Sequence, residues 1–281
     1  VFEWIAALGV GYLVVCFVLA KAYVRPMRGV PGHVPDLTEV MVPEGKDGPD
    51  PAWCSPGLLS SHPSQIVFVF AHGYGGSRSS NEGLMLQLAK HGIDSVAPCM
   101  PGQDASPQPT VGFGVREAAT MVATANWVRT KVPKARIVYA GISMGGAASW
   151  LASELDPTAA GVISEGAYAR FDEAMRNWFE RKATGASIYL RPVVWMAFAM
   201  AGINPSKVIP LNAAIKWKGR PALVIQAGDD DLIDLSQAQR LSSASGAPLW
   251  VVPGAVHANC YGTANTEYLD RVLAFVKGLG S

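Results

Sequence analysis

Ser143 lies in the segment Gly141-Ile142-Ser143-Met144-Gly145-Gly146, a G-x-S-x-G pattern. A serine hydroxyl is a weak nucleophile until a neighbouring base takes its proton, and then it can attack an acyl carbonyl. The segment follows an apolar, β-branched run at 136–140 and precedes a helical run at 147–155. A sharp strand-to-helix turn strains the serine backbone, so the residues two before and two after it must lack bulk. Gly141 and Gly145 meet that demand. The helix that follows aims its free N–H groups and partial positive charge at the serine.

The base is expected at His257, in Pro253-Gly254-Ala255-Val256-His257-Ala258, just past an apolar strand at 249–252. His33 and His62 fall in a proline-rich stretch, His91 ends a helix, and His72 has a different place. A histidine base needs a carboxylate that fixes its tautomer and stabilises the imidazolium. Gly228-Asp229-Asp230-Asp231 follows another strand and supplies candidates. Asp231 is the expected acid, and Asp229, Asp230 and Asp234 are alternatives on spacing alone. The developing oxyanion needs two backbone N–H donors. Met144, directly after the serine, supplies one. The second is expected from Tyr74 in the loop His72-Gly73-Tyr74-Gly75-Gly76-Ser77, where glycines allow close approach of the backbone. His72 and Gly73 are expected to shape that loop, as Gly141 and Gly145 shape the turn.

The elements around these residues alternate. Strands are predicted at 66–71, 94–97, 136–140, 161–164, 222–226 and 249–252, with helices at 84–90, 115–132, 147–155 and 268–279. That alternation predicts an α/β fold with a mostly parallel central sheet and helices on both faces. A segment of about 167–219 between the fourth and fifth of these strands is rich in Trp178, Phe179, Tyr189, Trp195 and Phe198. An insertion there sits over the C-terminal edge of the sheet, so it reads as a helical lid.

The 281 residues suffice for one large α/β domain with additions. Hydrophobic residues make up 49% and charged residues 16%, against roughly 25% charged in ordinary soluble domains. A membrane segment is one way to explain the shortfall. Trp4 to Ala20 is a run of 17 uncharged residues. Extended through residues 2–24, it matches the ~20 apolar residues that span a bilayer as a helix. A cleavable leader is one alternative, since Ala20-Lys21-Ala22 fits a cleavage site, but the basic segment that precedes a leader's core is missing; a buried core helix is the other, and a segment apolar on all faces before a proline-rich stretch speaks against it. The expected organisation is an anchor at 1–24, a proline-rich lead-in with short strands such as Thr38–Val42 at 25–63, and a catalytic domain at 64–281. Lys21, Arg25 and Arg28 follow the apolar run, which puts the domain on the cytoplasmic side.

A net charge of +1 without any basic, aromatic-interleaved stripe gives no nucleic-acid surface. Cys16, Cys54, Cys99 and Cys260 form no CxxC pair and no zinc spacing, so they are read as reduced thiols. No metal or organic cofactor is expected, and the partners expected are a small acyl substrate and a lipid bilayer.

Together, His72-Gly73 after the first core strand, the turn at 141–145, Gly228…Asp231 and Gly254…His257 resemble the α/β-hydrolase superfamily in order and spacing. The loop His72-Gly73-Tyr74-x-Gly-Ser77-Arg78 and the ending Pro253-Gly254-Ala255-x-His257-Ala258 are similar to those of membrane-anchored bacterial hydrolases of the serine aminopeptidase-like and lysophospholipase-like kind. The resemblance covers roughly 64–278. It implies an α/β-hydrolase fold and a triad of Ser143, Asp231 and His257, with Tyr74 and Met144 as oxyanion donors. It implies cleavage of a carboxylic ester, with a lipophilic acyl ester as the narrower expectation. An amidase or peptidase using the same residues, and a non-catalytic subunit of a membrane complex, are the other functions compatible with it. The segment Met100-Pro101-Gly102-Gln103-Asp104-Ala105-Ser106 departs from the Arg-Gly-His-Gly-x-Ser run of many relatives. That loop shapes the pocket, so substrate preference does not carry over.

Overall fold

The computed structural model describes residues 2–43, 48–182 and 185–280; residues 1, 44–47, 183–184 and 281 of the segments above lie outside them. In chain order the elements are α1 (Phe2–Val24), β1 (Thr38–Val42), β2 (Asp50–Cys54), β3 (Ile66–Ala71), α2 (Glu82–Lys90) and β4 (Asp94–Pro98). Then come α3 (Val115–Lys131), β5 (Arg136–Ile142), α4 (Met144–Leu155), β6 (Gly161–Glu165), α5 (Phe171–Lys182), α6 (Ala186–Ala201) and α7 (Pro210–Lys216). The chain closes with β7 (Ala222–Ala227), α8 (Leu235–Ser245), β8 (Leu249–Val252), α9 (Cys260–Thr263) and α10 (Asn265–Leu279).

The eight strands form one sheet in the order β1-β2-β4-β3-β5-β6-β7-β8. β1 and β2 pair antiparallel, and β2 pairs antiparallel with β4. From β4 to β8 every pairing is parallel. The parallel strands are apolar on both faces because helices cover both. Their alternation is visible residue by residue. In β3, Val67, Val69 and Ala71 enter the core under α3 and α4, while Phe68 and Phe70 enter the core under α2 and α10. In β5, Ile137 and Tyr139 divide from Val138 and Ala140 in the same way.

Strand order reverses at β3, which lies between β4 and β5. Ligands in open α/β sheets bind at such a reversal, outside the carboxyl ends of the strands. The loop after β3 and the turn after β5 both leave from that point. A third buried cluster lies over this edge and joins Cys16, Ala20 and Val24 of α1 to Phe171 of α5, Val193, Ala197, Phe198 and Ala201 of α6, and Phe113. The predicted helix at 147–155 starts earlier, at Met144, so it begins directly after Ser143.

Candidate active site

Ser143 takes φ +56° and ψ −119°, a conformation that L residues rarely adopt. Such strain costs on the order of 1–3 kcal/mol and persists only where neighbours enforce it. The neighbours do so here. A Cβ on Gly141 would lie 2.3 Å from the Gly145 carbonyl oxygen, and a Cβ on Gly145 would lie 2.2 Å from the Ala71 carbonyl oxygen. Neither backbone contact has room for a methyl. The Ser143 N–H also donates to the Glu165 carbonyl at 2.7 Å, which ties the turn to β6.

The Ser143 hydroxyl meets His257 Nε2 at 2.8 Å, and His257 Nδ1 meets Asp230 Oδ2 at 2.7 Å. A carboxylate only accepts, so Nδ1 carries the proton and Nε2 is left to accept from the serine hydroxyl. That chain of two hydrogen bonds can move a proton off the serine while the carboxylate holds the ring. Gly166, at φ +57°, lies under the pair: a Cβ there would come within 3.3 Å of His257 Cε1.

The acid on His257 is therefore Asp230, not the Asp231 expected from the sequence. Asp230 Oδ1 accepts the N–H groups of Leu232 and Ile233 at 3.0 and 2.8 Å, a local turn that points the carboxyl inward. Gln226 Nε2 donates to its other oxygen at 2.9 Å. One step along the loop, Asp231 is exposed, and its carbonyl accepts from Arg181. Asp234 caps α8 by accepting the Ser236 N–H, and the Asp229 N–H donates to Ala255. Gln226, Glu165 and Gly166 were not foreseen. The apolar pair Leu232-Ile233, whose N–H groups anchor Asp230, is the one sequence cue that could have separated it from Asp231.

Met144 opens α4, and the first helical hydrogen bond of that helix runs from the Ala147 N–H to the Ser143 carbonyl. The N–H groups of the first turn thus have no acceptor within the helix. Across the cavity, the Gly75 N–H donates to Gln103 Oε1 and the Gly76 N–H to the Gly73 carbonyl. The Arg78 N–H donates to Asp104. Gly73 lies beside the nucleophile, where a Cβ would come within 3.3 Å of Ser143 Cβ. Tyr74 and Met144 both line the cavity that opens from Ser143.

His72 is fully buried and joins two loops. Its Nε2 accepts the Met100 N–H at 3.2 Å, so Nδ1 must carry the proton that reaches the Gly73 carbonyl at 2.9 Å. Burial pushes its pKa below the ordinary histidine value. Arg78 and Asp104, also buried, bridge the same loops at 3.0 Å. The unusual 100–106 segment is thus a partner of the 72–78 loop.

The cavity above Ser143 holds about 240 Å³ and is walled by Phe113, Phe171, Met175, Trp178 and Ile233. Tyr23, from the last turn of α1, completes it. Its carbonyl accepts from the Tyr74 hydroxyl at 2.8 Å, and its ring centroid lies 5.1 Å from that of Tyr74 and 5.5 Å from that of Phe113. All four cysteines are buried and unpaired.

A family profile described as the alpha/beta hydrolase fold matches residues 66–194. No curated protein matches the sequence. Among solved structures, an esterase of Pyrococcus furiosus superposes with a TM-score of 0.72 at 19% identity, over 90% of this chain and 98% of that one. An acylaminoacyl peptidase of Pyrococcus horikoshii superposes with a TM-score of 0.61 at 17% identity, over 87% of this chain and 41% of that one. A serine hydrolase homologue from Coxiella burnetii gives a TM-score of 0.59 at 17% identity, over 86% of this chain and 100% of that one.

Proposed function

The chain has the α/β-hydrolase fold, and on that premise we propose that it is a membrane-anchored serine hydrolase of lipophilic carboxylic esters. The observation that carries the reading is the line Ser143–His257–Asp230, with bonds of 2.8 and 2.7 Å, at the mouth of an apolar cavity. In the reaction His257 takes the Ser143 proton as the oxygen attacks the acyl carbonyl. The N–H groups of Met144 and Tyr74 hold the oxyanion. His257 then protonates the leaving alkoxide, and a water activated by the same ring releases the acid. Each oxyanion donor is worth about 10²–10³ in rate.

The cavity is smaller than the roughly 300–1,000 Å³ of common ligand sites, so it suits one acyl chain rather than two. Its apolar walls favour that chain over a charged peptide. Residues Ala6–Val24 of α1, with mean hydropathy 2.0, are long and apolar enough to span a bilayer. A leader cut after Ala22 would strip Cys16 and Ala20 from a buried cluster with α6, which supports an anchor that stays. Lys21, Arg25 and Arg28 favour a cytoplasmic catalytic domain.

The test is a series of p-nitrophenyl esters and aminoacyl anilides offered to the wild type and to Ser143→Ala. Ester turnover that is present in the wild type and absent in the variant supports the reading. Turnover of anilides alone would make the chain an amidase, and equal turnover by both proteins would refute Ser143 as the nucleophile.

A further inference from the structure

Phe113 is held where a bulky residue rarely stays. Its φ is +50°, in the left-handed region that an aromatic residue enters only under constraint. Such a conformation is costly and lasts only where the surroundings impose it. Two buried side chains do so. Both oxygens of Glu117 accept, one from the Gly112 N–H and one from the Gly114 N–H, each at 2.7 Å. The carboxylate thus grips the backbone on either side of Phe113. The Tyr168 hydroxyl donates to the Phe113 carbonyl at 2.9 Å. The ring is wedged as firmly as the backbone. Phe198 of α6 and Phe171 of α5 pack on it with centroids at 4.5 and 5.3 Å, and Tyr23 of α1 at 5.5 Å.

What this clamp positions is the closed end of the cavity over Ser143. The lining grades from open to covered. Tyr74 is 40% exposed, and Met175 and Trp178 are half-buried, so these form the rim. Phe113, Tyr168, Phe171 and Ile233 are buried, so these form the floor. In an acyl-enzyme reaction the leaving alcohol departs first and must pass the rim. The acyl group stays bonded to the serine until water arrives, so the closed end is its place. At roughly 30 Å³ for a water-sized group, the 240 Å³ of the cavity takes about eight carbon atoms.

We propose that the site is cut for medium-chain acyl groups of about eight carbons, with Phe113 as the specificity-determining residue that stops the chain there. The inference rests on the reading of the chain as an ester hydrolase. A side chain gripped in a strained conformation makes a fixed floor, where a free rotamer would yield to a longer chain. Each methylene that finds room raises kcat/KM about fourfold, and one that finds none adds nothing.

The full chain, Phe113→Leu and Phe113→Ala are assayed with p-nitrophenyl esters from acetate to palmitate in one detergent. The readout is the ratio of kcat/KM for laurate to that for octanoate within each protein, so that a loss of folded enzyme cancels. The wild type is expected to peak near octanoate. The ratio is expected to rise in Phe113→Leu, and by about fifteenfold in Phe113→Ala, the value of two further buried methylenes. A ratio unchanged in both variants overturns the inference and leaves the ester reading intact, as does a wild type that peaks at acetate or palmitate. Acetates of lengthening alcohols form a second series. An optimum in alcohol length that moves with Phe113 would put the leaving group in the cavity and overturn the inference too. A wild type that turns over no ester overturns the hydrolase reading and the inference together.

Discussion

Asp230 accepts four hydrogen bonds, from Leu232, Ile233, Gln226 and His257. Three of them fix the carboxyl before the fourth orients the ring. Ser143 and His257 were legible because each has a local signature: a glycine-flanked turn between strand and helix, and a histidine just past the last strand. The acid had none, because four aspartates crowd one loop and only the turn onto Leu232-Ile233 decides which side chain points inward. Asn at the acid position presents an amide N–H to Nδ1 and favours the wrong tautomer. Asp230→Asn is therefore expected to lower kcat by about 10⁴. Asp231→Asn is expected to leave kcat within about twofold, as surface substitutions usually do. Steady-state ester hydrolysis by the two variants checks both.

The strands β3 to β8 and the helices α2, α3, α4 and α10 were readable from their apolar runs and helical spacing, whereas α8 (Leu235–Ser245), between β7 and β8, was not. β2 was not, because Asp50-Pro51-Ala52-Trp53-Cys54 contains a proline that removes a ladder donor. It pairs nonetheless, with Trp53 opposite Glu39 on β1 and Ala97 on β4. The tie between the loops after β3 and β4 was also hidden, since it forms between residues 28 apart through His72 and Met100. That tie carries a pH dependence. Burial lowers the His72 pKa in the fold, so below about 6.5 the unfolded chain binds a proton that the folded chain does not. Stability is full above the unfolded value and is lost as pH falls below it, by at most about 1.4 kcal/mol per pH unit. Melting temperatures between pH 7.5 and 5 are expected to fall less steeply in His72→Gln than in the wild type. Parallel slopes would remove His72 from that role.

At the scale of the molecule, α1 is part of the wall of the site. Its outer turns are apolar on every side, which is what sequence can show, and no periodicity announces a partner. Its last turn supplies Tyr23 to the cavity, accepts the Tyr74 hydroxyl through its backbone and packs on Phe113. Arg28, just beyond, donates to the Ser106 and Gln108 carbonyls of the loop after β4. The last turn of α1, the 72–78 loop and the cavity over Ser143 are therefore one packed unit over the C-terminal edge of the sheet. Its chemistry converges on Ser143. The full chain is treated with a fluorophosphonate in detergent, and its intact mass and peptide map are recorded. A gain of one phosphonyl group, mapped to Ser143 and absent from His257→Ala, is the predicted result. An unmodified wild type, or a phosphonyl group on another residue, would contradict it.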